Sequence, residues 1–432
     1  MHEFKLKPGF KIGTATAATQ TEGGDLGHSW NEWYKKGHIK DGADPARADK
    51  HYDLWKEDTE LMKSLGFPVY RMGVEWARIE PQKGIFNEDA IKHYTDEIKL
   101  LNSFGIKPLV TLHHFSNPGW FDAMGAFAKT ENIDYFLEFA KKIVSAFGKD
   151  ADEYCTINEP NVYASHGYFF GVWPPGEKSF SLFADVLSNL ALAHILTCEK
   201  IHELFPEAKV GFAHHSRPYV PKNPLNPLHR FYAWLGRKTQ LESLEKAFYF
   251  GRFEWPLTNF LKLKPGQYSD FIGLNYYSRS VITGPRDGVK ENVPVNDLGW
   301  EIYPQGLVEC AEKLHKLLPL PIYVTENGTC DNSDAFRSLY LYEHLKAISE
   351  SELPFERYYH WSFTDNWEWL EGESARFGIV HVDYESQKRT VKNSGKFLSA
   401  VSASGGVTDE IYNWYVKGQK YRTNREPEQE ST

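Results

Sequence analysis

The feature that most constrains this chain is a regular alternation of short apolar runs with amphipathic helical stretches. The candidate strands are residues 11–16, 67–72, 107–112, 153–157, 209–213, 271–275, 322–325 and 357–361. The helical stretches between them include residues 53–65, 90–104, 132–147, 182–203, 305–318 and 335–348. Strands that alternate with helices favour a parallel α/β sheet, and eight such strands can close a barrel. The sequence therefore predicts an α/β fold, a single (β/α)8 TIM barrel.

The main alternative is a doubly wound sheet, which usually carries a glycine-rich phosphate turn after its first strand. Here the first strand contains Gly13-Thr14-Ala15, which does not match that turn. No low-complexity linker divides the chain, and the proline-rich stretch 218–227 reads as a surface excursion. We expect residues 1–432 to form one domain that ends in a short polar tail from about residue 424.

Composition limits the partners of the chain. The net charge is −9 and the pI about 6.0, which favours neutral ligands over nucleic acid or an anionic membrane. The amino-terminal residues lack an apolar signal region, and no run approaches the about 18 apolar residues of a membrane span. The four cysteines, Cys155, Cys198, Cys310 and Cys330, are scattered. We therefore expect reduced thiols in a cytoplasmic protein.

Polar and aromatic side chains follow the predicted strands where these end. The residues at or just beyond the strand ends are Gln20, Glu22, Arg71, Glu75, His113, His114, Asn158, Glu159, Asn275, Tyr277, Glu326, Trp361, Glu368 and Trp369. In a (β/α)8 barrel these ends meet at one mouth, where catalytic residues collect. Two carboxylates at such a mouth suit hydrolysis of a glycosidic bond, with one as acid and one ionised. A retaining enzyme holds them roughly 5–5.5 Å apart, and an inverting enzyme roughly 6.5–9.5 Å apart.

Several motifs resemble those of family 1 glycoside hydrolases. TINEP at 156–160 is similar to the family's T-x-N-E-P motif, and VTENG at 324–328 is similar to its T-E-N-G motif. The resemblance extends over nearly the whole chain. Its other segments are QTEG at 20–23, residues 51–78, DFIGLNYY at 270–277, GWE at 299–301, residues 361–369 and RFG at 376–378.

The resemblance implies a (β/α)8 barrel and a retaining β-glycosidase, foremost a β-glucosidase, with galactosyl and fucosyl substrates as further options. It implies that Glu159 is the general acid/base and Glu326 the nucleophile. We expect Arg71 and Tyr277 to lower the pKa of Glu326, and burial or a neighbouring charge to raise that of Glu159. The other substrate-binding positions that the resemblance implies are Gln20, His114, Asn158, Asn275, Trp300, Trp361, Glu368, Trp369 and Phe377.

Several of these residues also have a purely structural interpretation. Arg71 could form an ordinary ion pair, Gln20 could bind backbone, and Trp300 could be a rim aromatic. His113 and His114 are adjacent on a strand, so only one can reach the mouth, which disfavours a metal site. No cofactor or metal is predicted. The expected ligands are small β-glycosides or short oligosaccharides, and the pattern specifies no oligomeric state.

The chain departs from the family pattern at two positions. Phe115 stands where the family usually has a tryptophan that donates to the sugar 3-hydroxyl, and Asn161 stands where many members carry an aglycone-shaping tryptophan. Glu368 is retained, and its charge should repel a 6-phosphorylated sugar, so neutral sugars are predicted.

A transglycosidase would use the same covalent intermediate, and a non-catalytic sugar-binding member would usually lack one carboxylate. A Schiff-base enzyme would need a lysine at a strand end, and those ends offer none.

Overall fold

The computed structural model describes residues 2–285 and 287–424 and has a closed barrel of eight parallel strands at its centre. The strands are β1 (Lys11–Ala15), β2 (Val69–Gly73), β3 (Lys107–His113), β4 (Glu153–Asn158), β5 (Lys209–His215), β6 (Ile272–Tyr276), β7 (Ile322–Asn327) and β8 (Phe355–Trp361). They pair in chain order, and β8 closes the ring against β1. All eight strands coincide with predicted strands to within about two residues.

A helix follows each strand on the outside of the barrel. These helices are α1 (His51–Ser64), α2 (Glu88–Ser103), α3 (Ile133–Phe147), α4 (Phe180–Leu204), α5 (Ser243–Phe250), α6 (Gln305–Leu317), α7 (Arg337–Ser349) and α8 (Asn393–Ser404). In α3, Ile133, Phe136, Ala140 and Ile143 recur at helical spacing and are all buried. This spacing gives the helix one apolar stripe, which packs on the strands.

Helix α4 is apolar around most of its circumference. Among the described residues it alone is long and apolar enough to cross a membrane by length and composition. However, 72% of its most apolar window is buried inside the protein. Its composition is therefore explained by packing between the barrel and its neighbours α3 and α5.

The remaining elements are short and lie in the connections. The helices are Ala18–Thr21, Ser29–Lys35, Trp76–Ile79, Gly119–Ala123, Pro160–Ala164, Pro227–Arg237 and Asp409–Tyr415, with single turns at Ala126–Ala128, Thr130–Asn132, Gly148–Asp150, Ser165–Phe169, Lys238–Glu242 and Trp369–Glu371. The short strands are Phe4–Lys5, Tyr219–Pro221, Ser280–Ile282, Asp287–Gly288, Pro294–Val295, Val380–Val382, Arg389–Val391, Gly406–Val407 and Arg422–Thr423.

The two strands that carry the candidate carboxylates are irregular near their carboxyl ends. The pairing of β4 with β5 shifts between Cys155 and Asn158, and the pairing of β7 with β6 shifts between Val324 and Glu326. Such irregularities re-aim side chains and are frequent beside active sites. At the opposite end of the barrel, where β4 and β8 begin, Arg357 and Glu153 form a buried ion pair. The irregular pairing is therefore at the end of the barrel that carries the candidate carboxylates.

The four cysteines are free and buried, as expected of reduced thiols. The polar tail predicted from about residue 424 lies, beyond that residue, outside the described residues. The single-domain organisation stays a prediction.

Candidate active site

Glu326 lies near the carboxyl end of β7 and is held by groups from two other strands. Arg71 on β2 donates through Nη1 to Glu326 Oε1 at 2.5 Å. Tyr277, just beyond β6, donates its hydroxyl to Glu326 Oε2 at 2.6 Å. Both carboxylate oxygens therefore accept a short hydrogen bond, and one of these comes from a fully buried cation.

Asn275 at the end of β6 links this carboxylate to the opposite side of the mouth. Its Nδ2 donates to Glu159 Oε1 at 2.9 Å and to Asn158 Oδ1 at 3.0 Å. Asn158 Oδ1 also accepts from Arg71 Nη2 at 2.7 Å. A single hydrogen-bonded network therefore joins the two glutamates, and both of them are buried together with Arg71, Asn158 and Asn275, which connect them.

Glu159 follows β4 directly and has a left-handed backbone, with φ of 40°. Pro160 behind it begins a short helix, so this residue stands at the sharp turn from strand to helix. Phe115 and Trp369 at the same mouth also have positive φ values, 65° and 49°. Such conformations cost about 1–3 kcal/mol each and cluster at functional sites.

The two carboxyls differ in electrostatic environment. Burial, followed by the charge of Glu326, raises the pKa of Glu159 well above its usual range. Burial also raises the pKa of Glu326, but Arg71 and Tyr277 act against that rise. Of the pair, Glu159 therefore holds a proton more readily.

This result corrects one expectation. The sequence argument predicted a pKa for Glu326 below the ordinary value, whereas in the structure it lies above that value. The predicted cation and hydroxyl are present, but the loss of water around a buried carboxylate outweighs them. The order of the two pKa values, with Glu159 the higher, agrees with the assignment of roles.

His113 is the last residue of β3 and His114 follows it, and their side chains point to opposite sides, as predicted. His113 packs edge-on against Phe127 and Tyr163 in the outer layer. The ring of His114 stacks on Trp361 and on Trp369, with centroids 5.6 and 5.9 Å away. His114 Nε2 accepts from Asn158 Nδ2 at 3.0 Å, so it belongs to the same network as the carboxylates.

Gln20 and Glu368 form the polar wall beside these rings. Gln20 Nε2 donates to Glu368 Oε2 at 3.1 Å and also to the Trp367 carbonyl at 3.0 Å. Trp361 donates to the same carboxyl, yet burial still raises the pKa of Glu368 to about 8. Among the described residues, no group hydrogen-bonds Gln20 Oε1 or His114 Nδ1, although both atoms are buried.

Trp361 lies close to the end of β7 because Gly328 has no side chain. A Cβ at Gly328 would lie 1.9 Å from the Trp361 carbonyl oxygen. The glycine after Glu326-Asn327 is therefore required by packing at this mouth.

Trp300 and Phe377 form an outer aromatic edge of the mouth. Trp300 is 39% exposed, whereas Phe377 is buried. Both lie near Tyr277, with ring centroids 6.0 and 6.4 Å from it. Trp300 is therefore a rim aromatic that still adjoins the residue holding Glu326.

Two carboxylates noted at strand ends do not join the site. Glu22 pairs with Arg78 at 2.9 Å and accepts from Tyr94. Glu75 accepts from Thr19 at 2.6 Å and caps the helix Trp76–Ile79. Both stabilise the connections around the mouth.

Three further residues hold the site in place and were missed from the sequence. Thr111 on β3 accepts from Arg71 Nε at 3.0 Å, and Thr325 donates to Asn275 Oδ1 at 2.7 Å. Asn366 accepts from Gln20 at 3.1 Å. The two threonines lie on strands that were predicted, so the inward-facing positions of those strands were the available signal.

Phe115 and Asn161, the two residues that depart from the family pattern, are both buried. The ring of Phe115 packs against Trp173 and Trp369, and its carbonyl accepts from Trp30. Asn161 donates to the His215 carbonyl at 3.0 Å, which ties the turn after β4 to the end of β5.

Among the described residues, no group of three or more histidine, cysteine, aspartate or glutamate side chains could hold a metal.

The sequence model of Glycosyl hydrolase family 1 matches residues 2–242 and 258–407. The chain belongs to glycosyl hydrolase family 1. It is thus a glycoside hydrolase with the (β/α)8 barrel of this family, and both sequence predictions are confirmed.

Curated relatives and solved structures agree with this family. Beta-glucosidase A of Thermotoga maritima is 32% identical over 447 aligned positions, which cover 95% of this chain and all of that protein. A beta-glycosidase from Pyrococcus horikoshii superposes with a TM-score of 0.88 at 31% identity, covering 96% of this chain and 98% of that one. A beta-glucosidase from Thermotoga maritima in complex with deoxynojirimycin has a TM-score of 0.85 at 31% identity, covering 94% and 100%.

Proposed function

We propose that this family 1 enzyme is a retaining β-glucosidase, which releases terminal non-reducing β-D-glucosyl residues through a covalent glycosyl-enzyme. In this proposal Glu326 is the nucleophile and Glu159 the general acid/base. The observation that carries the assignment is the asymmetry between the two carboxyls. Arg71 and Tyr277 bind Glu326 directly, whereas Glu159 has the amide of Asn275 as its side-chain partner.

In the first step, Glu326 uses a carboxylate lone pair to form a bond to the anomeric carbon. The bond from that carbon to the leaving oxygen breaks, and Glu159 gives its proton to that oxygen. The raised pKa of Glu159 supports this role, because an acid must hold its proton near neutral pH.

In the second step, Glu159 takes a proton from water while the water oxygen attacks the anomeric carbon. The ester bond to Glu326 breaks, and its carboxylate returns to Arg71 and Tyr277. Because an ester carries no charge, the repulsion that raised the pKa of Glu159 is absent in the intermediate. The same residue can therefore act first as an acid and then as a base.

The sugar ring would lie against Trp361 and Trp369, within reach of the buried atoms Gln20 Oε1 and His114 Nδ1. Sugar hydroxyls would satisfy these atoms, which otherwise carry a desolvation penalty of about 1–3 kcal/mol each. Asn158 is proposed to contact the 2-hydroxyl, and Trp300 to form a platform for the leaving group. A solved neighbour holds deoxynojirimycin, a sugar-like amine, which supports a small glycoside as ligand.

We propose neutral sugars as substrates, for a reason that differs from the sequence argument. The pKa of about 8 leaves Glu368 mostly protonated at pH 7, so the repulsion expected from its charge is weak. The hydrogen-bond partners found for its side chain are Gln20 and Trp361, and neither is a cation. A buried phosphate here would lose its water without gaining a counter-charge, which is costly.

The assignment is tested by incubating the enzyme with an activated 2-deoxy-2-fluoro-β-glucoside and mapping the labelled peptide by mass spectrometry. The fluorine slows the second step, so the covalent intermediate accumulates. We expect one sugar, attached to Glu326, and no label in Glu326→Gln. A label on Glu159 or elsewhere would remove the nucleophile assignment. A panel of β-glycosides without turnover would favour the non-catalytic interpretation, and added alcohol would reveal transglycosylation as a mixed product.

A further inference from the structure

Three polar side chains around the turn that carries Glu159 have hydrogen-bonding atoms that no described residue uses. They are Asn161, His166 and His215. The reaction steps proposed above involve none of them. Unused polar groups that converge beside a reacting centre commonly fix the orientation of a substrate.

His215 is the last residue of β5 and faces the barrel mouth. Ala213, two positions earlier, belongs to the apolar cluster inside the barrel, whereas His214 between them pairs with a carboxylate of α5 outside it. Side chains alternate along a strand, so His215 lies on the same side as Ala213. Its ring centroid lies 6.3 Å from that of Tyr277, and its partner across the sheet is Asn275. His215 therefore adjoins residues that bind both candidate catalytic glutamates.

Asn161 and His166 lie on the helical segment that begins directly after Glu159. Asn161 Nδ2 donates to the His215 carbonyl, whereas its buried Oδ1 has no partner among the described residues. The Nδ1 of His166 lies 3.1 Å from the Val162 carbonyl oxygen. Because a carbonyl oxygen can only accept, this Nδ1 carries the proton, and Nε2 of the neutral ring is an acceptor.

Both imidazole rings are neutral near pH 7. Burial lowers the pKa of His166 to about 4 and that of His215 well below its ordinary value, and the charge of Arg217 lowers both further. A neutral imidazole has one donor and one acceptor nitrogen. Both rings are partly exposed, and within the described part of the chain no group binds either nitrogen of His215 or Nε2 of His166. A ligand at the mouth can therefore use these atoms.

The charge of Arg217 does not make this region a site for an anion. Its Nη2 pairs with Asp287 Oδ2 at 2.7 Å, and its Nε donates to the Tyr219 hydroxyl at 3.4 Å. The ion pair is neutral overall, as are the two imidazoles. A charged ligand would therefore lose its water without gaining a free counter-charge, which is costly.

Aromatic rings border the same region on two sides. The ring of Trp173 lies 4.7 Å from that of His166 and 5.7 Å from that of Trp369, which belongs to the wall proposed for the glucosyl ring. Trp300, the exposed rim aromatic, adjoins Tyr277 on the other side. Flat rings combined with neutral donors and acceptors match a second sugar, which has apolar faces and hydroxyls at its edge.

We propose that Asn161, His166 and His215, which we term the leaving-group cluster, bind hydroxyls of a second sugar. The preferred substrates are then β-linked glucosyl disaccharides and short oligosaccharides, and glucosides of apolar alcohols are poorer substrates. This assignment rests on the function proposed above, in which Glu159 gives its proton to the leaving oxygen. A leaving group without hydroxyls would cover the cluster and leave its polar atoms unpaired, which is unfavourable.

The cluster is tested with His166→Phe and His215→Phe, which keep a ring but remove its nitrogens. We measure kcat/KM for cellobiose, laminaribiose and gentiobiose, and for cyclohexyl β-glucoside, whose leaving group is a saturated ring without further hydroxyls. The ratio of the best disaccharide of the wild type to cyclohexyl β-glucoside should fall roughly two- to tenfold in each variant. The intrinsic reactivity of the substrates cancels, because each is compared with itself between proteins.

His315→Phe is the matched control and should leave this ratio unchanged. His315 is also partly exposed, and its Nδ1 likewise binds a backbone carbonyl, that of Leu320. Leu320 comes just before β7, at the end of the barrel opposite the mouth. The control therefore removes a similar ring far from the leaving group.

A second measurement needs no variant. Enzyme that carries a 2-deoxy-2-fluoroglucosyl group on Glu326 is incubated with methyl β-glucoside or with cyclohexanol. A hydroxyl oxygen of the bound acceptor attacks the anomeric carbon, Glu159 takes the hydroxyl proton, and the ester bond to Glu326 breaks. We expect methyl β-glucoside to speed the loss of the label in a saturable manner. Cyclohexanol at the same concentrations should leave the rate close to that in buffer.

The outcomes separate this assignment from the proposed function. Turnover of both glucosides with an unchanged ratio in the two variants, or with an equal fall in His315→Phe, would overturn the leaving-group cluster alone. Equal release of the label by the two acceptors would overturn it even if the variants do not fold. A wild type that hydrolyses no glucoside and takes no label would overturn the proposed function, and the cluster with it.

Discussion

Replacement of Tyr277 by phenylalanine removes one hydrogen bond from the candidate nucleophile with little change in shape. Its hydroxyl donates to Glu326 Oε2 at 2.6 Å, and the bond stabilises the ionised carboxylate. Without this hydrogen bond the ionised carboxylate is less stable relative to the protonated form, so the pKa of Glu326 rises. Since Glu326 must be ionised to attack, the acidic limb of the kcat/KM profile should move to higher pH.

The size of this shift follows from the strength of the lost bond. A hydrogen bond to a charged group contributes about 1.5–3 kcal/mol, and one pKa unit corresponds to about 1.36 kcal/mol. The acidic limb should therefore move up by about one to two pH units. On the acid side of the limb this is a roughly tenfold to hundredfold loss of kcat/KM, while Arg71 still holds the other oxygen.

The assay is the pH profile of kcat/KM with an aryl β-glucoside for the wild type, Tyr277→Phe and Tyr276→Phe. Tyr276 is the neighbouring residue, and its hydroxyl donates to the Tyr303 carbonyl at 2.5 Å, away from the carboxylates. Tyr276→Phe is the control, and the acidic limb of its kcat/KM profile should lie at the same pH as that of the wild type. A uniform loss of kcat/KM in Tyr277→Phe, with an unmoved limb, would refute the view that this hydroxyl tunes Glu326.

Three further predictions test other parts of the site. Glu159→Gln should lower kcat/KM by about 10²–10⁴ for glycosides with poor leaving groups and by less for activated ones, since general acid assistance is lost; an equal loss for both would contradict the role. Phe115→Trp should raise the ratio of kcat/KM for a β-glucoside over its C3 epimer, because an indole can donate to the 3-hydroxyl; an unchanged ratio would show that this position does not read that hydroxyl. The pKa of Glu368 is about 8 in the folded protein and about 4.5 in the unfolded chain. As the pH rises, Glu368 therefore ionises in the unfolded chain at a lower pH than in the folded protein. This difference should lower the free energy of unfolding between about pH 4.5 and pH 8. Chemical denaturation at both ends of that window should show a smaller fall for Glu368→Gln, and a fall equal to that of the wild type would contradict this reasoning.

The barrel could be predicted because its sequence signals are strong and local. The strands are buried on both faces, so they read as short apolar runs, and α3 carries an unbroken apolar stripe. The stretch 218–227 was interpreted as a surface excursion. In the structure it includes the strand Tyr219–Pro221 and leads into the helix Pro227–Arg237. That helix escaped prediction because its apolar side faces solvent, which is the reverse of the usual pattern.

Some features of the candidate site could likewise be predicted from the sequence, and others could not. The family motifs indicated Glu159 and Glu326, and Arg71 was expected beside Glu326 because all three residues lie at or near the ends of predicted strands. The hydrogen bonds of Thr111 and Thr325 depend on register across the barrel, which no local pattern specifies. The direction of the pKa shift at Glu326 also could not be predicted, because it depends on the balance between burial and two partners brought in by other strands.

The network around Asn275 explains how one site can hold two carboxyls in different states. Its amide donates to Glu159 while its carbonyl accepts from Thr325, so the orientation of the amide is fixed from the β7 side. Arg71 contributes to the same arrangement by binding both Glu326 and Asn158. A change of charge on Glu326 therefore acts on Glu159 mainly through electrostatics, because the groups between them are already held in place. The alternation between acid and base that we propose for Glu159 would then require a redistribution of charge and no rearrangement of the barrel.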